Sequence, residues 1–289
     1  MASPVNRNRI RVGDGTLVRR TILTLVLLAT FVALLAPLAV IFAEAFRQGL
    51  PAYLAALARP DTRHAMFLTV LVAAICLPVN LAFGIAAAWT VAKFSFPGRN
   101  LLLALVELPF SISPIIAGVA YLFVYGGQGL LGPWLQAHDI KIMFAWPGIV
   151  LASLFVTAPF VVRELVPLMM AQGREEEEAS VSLGASGLQT LWFVTLPNVR
   201  YALLYGAVLA NARVMGEFGA VSIVSGNIRG QTSTLPLQIE LLYQDSQVLG
   251  AFAAATVLAG VALVTLAVKY AMERIQIAHE GAQARPTGH

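Results

Sequence analysis

The sequence predicts an all-α membrane protein of six transmembrane helices with both termini on the cytoplasmic side. Three observations carry that expectation. Of the 289 residues, 58% are hydrophobic and only 12% are charged, about half the charged fraction of a soluble domain, and the mean hydropathy is +0.77. The apolar residues fall in runs long enough for a helix to cross ~30 Å of hydrocarbon. The basic residues flank those runs unevenly, which sets orientation. Barrel strands would instead read as short alternating segments.

The first run, 21–46, follows Arg19-Arg20 and contains Ala43-Glu44-Ala45, which mimics a signal peptide. Its apolar stretch is too long for a signal h-region and reads as a retained first helix behind a cytoplasmic tail, 1–20. The second run, 65–92, lies between Pro60 and Pro97-Gly98. The third, 101–126, holds Pro109 and Pro114 and ends at Gly126-Gly127. The fourth, 145–170, carries Pro159 and Pro167. The fifth, 201–224, starts beyond Leu196-Pro197 and stops before Gly226. The sixth, 247–270, follows the turn region of Pro236 and leads to a second cytoplasmic tail, 276–289. Residues 21–275 thus form a single transmembrane domain, punctuated by Pro and Gly at nearly every connection. Proline within a span frees a carbonyl and permits a bend.

With the N-terminus inside, the inner segments hold Arg7, Arg9, Arg11, Arg19, Arg20, Lys93, Arg99, Arg174, Arg200, Lys269, Arg274 and Arg285. The outer segments hold Arg47, Arg59, Arg63, Lys141 and Arg229. Twelve against five favours both termini inside and puts the 171–200 loop in the cytoplasm. The net charge of +4 is therefore a topology signal, and no nucleic-acid partner is expected. Cys76 has no partner for a disulfide, and the scattered His64, His138, His279 and His289 form no metal-ligand pattern, so no metal site is expected.

The polar interruption in this apolar chain is Glu175-Glu176-Glu177-Glu178-Ala179-Ser180, followed by Gly184 and Val194-Thr195-Leu196-Pro197. The glutamates are good helix formers for a short surface helix, and Ala179 and Ser180 allow a partner surface to approach closely. Gly184 is suited to a positive φ that ends the helix sharply. Leu196-Pro197 is expected to stop a second segment before the fifth span. Glu178 is the expected contact to a partner, and Glu175 to Glu177 are expected to be solvated. Ionisable residues within spans mark a pathway or a partner. Arg163 and Glu164 fall in the fourth span. Arg213 and Glu217 fall in the fifth, four apart on one helix face, where they can pair. These four read either as a polar pathway suited to an anion or as structural ion pairs, and Glu107 reads as interfacial.

The spacing Glu178-Ala179-Ser180, three residues, Gly184, nine residues, Val194-Thr195-Leu196-Pro197 resembles the coupling motif of ABC-transporter permease subunits. Its one departure is Ser180 in place of a second alanine. Further segments resemble a narrower family: Phe96-Pro97-Gly98-Arg99, Phe160-Val161-Val162-Arg163-Glu164-Leu165-Val166-Pro167, Gly216-Glu217-Phe218-Gly219-Ala220-Val221, Ser225-Gly226-Asn227-Ile228-Arg229-Gly230 and Thr234-Leu235-Pro236-Leu237-Gln238-Ile239-Glu240. Together, over residues 20–275, they are similar to the W-type permease subunit of bacterial sulfate/thiosulfate ABC importers.

That resemblance implies a type I importer fold in the bacterial inner membrane. It implies a homologous T-type permease, two ATP-binding cassette subunits and a periplasmic sulfate/thiosulfate-binding protein as partners. The motif residues Glu178, Ala179, Ser180, Gly184, Leu196 and Pro197 would couple to the ATPase. Arg163, Glu164, Arg213 and Glu217 would line the pathway, and Arg229 would lie in a periplasmic loop that meets the anion or the binding protein. The permease would hydrolyse nothing and hold no cofactor, ATP and Mg²⁺ being bound by the partner ATPase. The sequence accordingly has no Gly-x4-Gly-Lys-Ser/Thr phosphate loop. The competing readings are an ABC permease for another oxyanion such as molybdate, an ion-gradient-driven secondary transporter and an intramembrane enzyme. The secondary transporter predicts an inverted repeat, which is not evident here. The enzyme needs a catalytic constellation within the spans, and none is seen.

Overall fold

The computed structural model describes residues 16–283, and among them every regular element is helical. The chain opens with α1 (Thr16–Thr30), a π-helical segment (Phe31–Leu35) and α2 (Ala36–Phe46), followed by α3 (Leu50–Leu57) and the long α4 (Pro60–Lys93). Then come α5 (Arg99–Ser111), α6 (Pro114–Tyr125), α7 (Gly132–Ala137) and α8 (Trp146–Ala171). The polar loop holds α9 (Glu175–Ser182) and α10 (Gly187–Thr190), and a second π segment (Leu191–Thr195) leads into α11 (Leu196–Met215). The chain closes with α12 (Gly219–Ser225), α13 (Leu235–Gln244) and α14 (Val248–Gln283). Arg7, Arg9, Arg11 and Arg285, used in the orientation count, lie outside the described residues.

Five helical stretches are long and apolar enough to span a bilayer: Val18–Phe46, Pro60–Lys93, Trp146–Ala171, Gly187–Met215 and Val248–Met272. The expected third span, 101–126, is instead a helix pair, α5 and α6, bent by 107°. Ser113 precedes Pro114 and takes an extended conformation (φ −57°, ψ 131°), as expected where the proline ring crowds the preceding residue. The pair counts as a sixth span only if taken as one broken unit.

The fifth span is displaced from the expected 201–224. It begins at Gly187 and ends at Met215, and α12 is a separate short helix. Leu196-Pro197 does not stop a segment, because the helix runs through it. Proline lacks an N–H and clashes with the carbonyl four residues back. The wide turn of the preceding π segment opens that position, and the same device precedes Pro37 in the first span.

The bundle is organised around α4 and α8, its most extensively packed helix pair, with α11 against both. Two apolar clusters are stacked along this pair. One contains Leu68, Val72, Cys76, Ile149, Val156 and Val221; the other contains Ala88, Val91, Val161, Leu165, Met169 and Val199. Between them lies a buried polar contact, where Asn80 Nδ2 donates to Thr157 Oγ1 at 2.7 Å and Thr157 donates on to the Ser153 carbonyl at 2.6 Å. A smaller cluster joins α13 and α14 through Leu235, Leu242 and Ala254.

Lipid is as apolar as a leucine side chain, so helix association in a membrane depends on close packing and interhelical hydrogen bonds. Gly84 provides the close packing. A Cβ there would lie 2.4 Å from Val161 Cγ1, and Val161 is fully buried. Gly84→Ala is expected to destabilise the bundle by about 1–3 kcal/mol through overpacking. A lowered unfolding temperature in detergent checks this; an unchanged one would mean that α4 and α8 can separate without cost.

Candidate functional site

The polar loop is a short helix fastened on one side and free on the other. α9 has four glutamates in its first turn, where negative charge suits the positive end of the helix dipole. Gly184 takes φ +93° with open space around it, so the turn needs a residue without a Cβ penalty. Ser186 then starts α10 with a capping box: its hydroxyl accepts from Gln189 N, and Gln189 Oε1 accepts from Ser186 N at 2.8 Å.

The fastened side differs from the expected row of solvated glutamates. Glu177 is largely buried, with Oε1 3.1 Å from Lys93 Nζ and accepting at 2.7 Å from Thr195 Oγ1. Lys93 also donates to the Gly173 carbonyl at 2.6 Å. Glu176 accepts a hydrogen bond from Asn198, and the Ser180 and Thr190 hydroxyls lie 3.1 Å apart. Ser180 thus faces the body of the protein. The free side carries Glu175, Glu178 and Ala179 together with the apolar Val181 and Leu183, the last 89% exposed. Leu196 is buried and Pro197 exposed, inside the continuous helix. Lys93 lies far from Glu177 in sequence, its only hint being a lysine that ends one span opposite an acidic run, whereas Thr195 belongs to the Val194-Thr195-Leu196-Pro197 segment of the same loop.

The four span charges are not brought to one place. Glu164 packs beside Gly206 of α11. With Arg163, Pro167, Tyr201 and Tyr205 it lines an open cleft of about 500 Å³. The Arg163 guanidinium lies 5.5 Å from the Phe110 ring centroid, within the range of a cation–π contact, and also borders a neighbouring cleft beside Glu107 and Pro159. Arg213 lies roughly 10 Å beyond Gly206 along α11, at 1.5 Å per residue, and Glu217 falls past the end of the helix at Met215 and so outside the fifth span in which it was expected.

Glu217 is 1% exposed and its Oε2 is 2.8 Å from Arg213 Nη2. Its Oε1 accepts from Ala220 N at 3.1 Å, within the first turn of α12. Glu217 therefore links the end of α11 to the start of α12 and has a structural function of its own. Arg163 and Glu164 remain on a cleft surface open to a ligand.

Arg229 sits at the far end of the molecule, since α4 carries the chain ~50 Å from Pro60 to Lys93 at 1.5 Å per residue. It pairs with Asp245 at 2.5 Å, joining the 226–233 loop to the turn between α13 and α14. Nearby, Arg59 bonds to Asp61 at 3.2 Å and to Gln247.

The family model described as "binding-protein-dependent transport system inner membrane component" matches residues 80–276. The chain belongs to this family. Among similar relatives, the sulfate transport system permease protein CysW of Escherichia coli (strain K12) is 58% identical over 236 residues, 82% of this chain and 81% of that protein. The CysW of Synechocystis sp. is 46% identical over 257 residues, 89% of this chain and 93% of the relative. The CysT of Escherichia coli (strain K12) is 35% identical over 240 residues, covering 83% and 87%. Among solved structures, a bacterial ABC transporter involved in the import of the acidic polysaccharide alginate superposes with a TM-score of 0.75 at 18% identity. That match covers 90% of this chain and 96% of the other. At that identity the likeness shows the type I permease fold.

The Arg229–Asp245 pair makes the 226–233 loop sensitive to pH. The hydrogen bond from Arg229 holds the Asp245 carboxyl below its ordinary value of 3.8, with the charge of Arg229 adding to the effect. A depressed carboxylate stabilises the folded loop fully above that ordinary value, and the contribution disappears as pH falls through the lowered one. Protection of the 226–233 amides, taken as the exchange rate relative to the intrinsic rate at the same pH, is expected to hold at neutral pH and to fall only below about pH 4, and Asp245→Asn is expected to remove that fall.

Proposed function

We propose that this protein is the W-type permease subunit of an ATP-driven importer of sulfate or thiosulfate in the bacterial inner membrane. In this reading it has six spans, counting the bent α5–α6 pair, with both termini in the cytoplasm. It works beside a T-type permease, two ATP-binding cassette subunits that hold the ATP and Mg²⁺, and a periplasmic binding protein. The observation that carries the mechanism is α9, which is riveted to the bundle along one face while Glu178, Val181 and Leu183 stand free along the other.

A soluble ATPase must move a helix bundle through a non-covalent contact. The free face of α9 supplies a charged group and apolar area for that contact, and Ala179 keeps the surface low. Gly184, Leu196 and Pro197 maintain the turn and the helix entry behind it. The basic residues around the loop support its cytoplasmic placement. The Arg163–Glu164 cleft is the surface we assign to a passing oxyanion, with the Arg163 guanidinium as its cation and Tyr201 and Tyr205 beside it, and the Glu164 carboxylate in the same lining sets a charge balance the anion must meet. Arg213 and Glu217 hold the α11–α12 junction next to the pathway, and the Arg229 loop is the surface offered to the binding protein. The sulfate assignment rests on the relatives named for sulfate transport, at up to 58% identity over most of their length.

Two measurements test this function. In liposomes containing the full complex, labelled sulfate uptake is expected to require ATP and the binding protein. Uptake by this chain alone on a proton or sodium gradient would refute the reading. Gly184→Val places a β-branched residue at φ +93°, which costs roughly 1–3 kcal/mol locally. It is expected to uncouple ATP hydrolysis from transport while the chain still inserts, and normal transport would contradict the role assigned to this turn.

A further inference from the structure

We infer that Glu177, rather than any residue on the free face, is the positioning group through which α9 moves the spans. This inference rests on the reading of α9 as the ATPase-docking helix. A docking helix can push on a bundle through packing alone. Pulling requires bonds that resist separation.

Glu177 makes those bonds from one carboxylate oxygen. Its Oε1 lies 3.1 Å from Lys93 Nζ, at the last residue of α4, and accepts from Thr195 Oγ1 at 2.7 Å, at the last residue of the π segment. The same ammonium donates to the Gly173 carbonyl at 2.6 Å, just beyond the end of α8. A single sheltered node therefore ties α9 to the end of α4, to the chain just past α8 and to the π segment within the fifth span. The Lys93 and Glu177 side chains are only 7% and 15% exposed, and Thr195 is 1% exposed. An exposed ion pair is screened by salt and contributes little, whereas losing one partner of a sheltered pair strands the other charge.

The placement of Thr195 adds a mechanical point. It ends the Leu191–Thr195 π segment, whose wider turn already departs from the α-helical register, and such segments recur at functional positions in helices. A pull on Glu177 reaches the fifth span at this compliant turn. The same pull reaches α4 and α8 at rigid helix ends, above the α4–α8 packing. One displacement of α9 would then shift the α4–α8 pair as a body and flex α11 against it, and the Arg163–Glu164 cleft lies between α8 and α11.

The test uses the complete complex in proteoliposomes: this chain with its T-type partner, ATPase and binding protein. It records labelled sulfate carried per ATP hydrolysed, basal hydrolysis and the amount of ATPase co-purifying. Glu177→Gln is expected to keep the ATPase bound and basal hydrolysis intact. Sulfate carried per ATP should fall by about fivefold or more, the lower range of coupling between linked sites. Lys93→Met should behave alike, and the double variant should be no worse than either single one, since both remove the same node. Thr195→Val, the mildest change, should lower the ratio partially and so keeps the test decisive if a charge variant fails to assemble.

An unchanged sulfate-to-ATP ratio in Glu177→Gln and Thr195→Val, with or without lower thermal stability, would show a purely structural staple and overturn the inference. Loss of the ATPase from the Glu177→Gln complex would also overturn it, because Glu177 would then act in docking. Failure of the underlying reading has a different signature: Leu183→Asp, on the free face, would leave ATPase binding unaffected.

Discussion

The close approach of α4 and α8 is the constraint on which the rest of the bundle depends. In a bilayer the hydrophobic effect does not drive helices together, so the pair needs shape and polarity to recognise itself. Gly84 against Val161 supplies the shape, and Asn80 bonded to Thr157 supplies a polar contact that would be costly to leave unmade in hydrocarbon. With that pair in place, two apolar clusters form on either side of the polar contact, and α11 has a surface against which to pack. The remaining helices add to this frame.

The frame explains how the charges are distributed. The sheltered charges are tied to helix junctions: buried Glu217 to Arg213 and the start of α12, and partly buried Glu177 to Lys93 at the end of α4 and to Thr195 of the π segment. These contacts stiffen junctions. Arg163 and Glu164 instead line an open cleft between α8 and α11, with Arg163 in contact with an aromatic ring. A transporter of the proposed kind needs both: stiff junctions where force enters, and an open polar surface where the two packed bodies can move relative to each other.

Much of this was legible in the sequence, in proportion to how local the governing physics is. Four of the expected spans, 21–46, 65–92, 145–170 and 247–270, correspond to Val18–Phe46, Pro60–Lys93, Trp146–Ala171 and Val248–Met272, because run length against bilayer thickness is a property of each segment alone. The bend within the third and the bounds of the fifth were not readable, because composition does not reveal a 107° break at Ser113 or a helix that continues through Pro197. The first depends on where α6 packs, against α12. The second depends on a π turn that accommodates the proline. At the loop, the spacing that resembled a coupling motif and the positive φ of Gly184 were both readable.

By itself, then, the sequence determined the solvent, the helical class, most of the spans, the polar loop and the family resemblance, all set by residue type and spacing along the chain. The tertiary structure decided which charges serve which purpose. Four consecutive glutamates look alike in sequence, yet Glu177 is sheltered by Lys93 and Thr195 while Glu178 stands free, whereas the pairing of Arg213 with Glu217 followed from their spacing alone. The physical reason is that an ionic group's environment is set by whatever the fold brings beside it, and the ammonium that shelters Glu177 comes from Lys93 at the end of α4, far back in the chain.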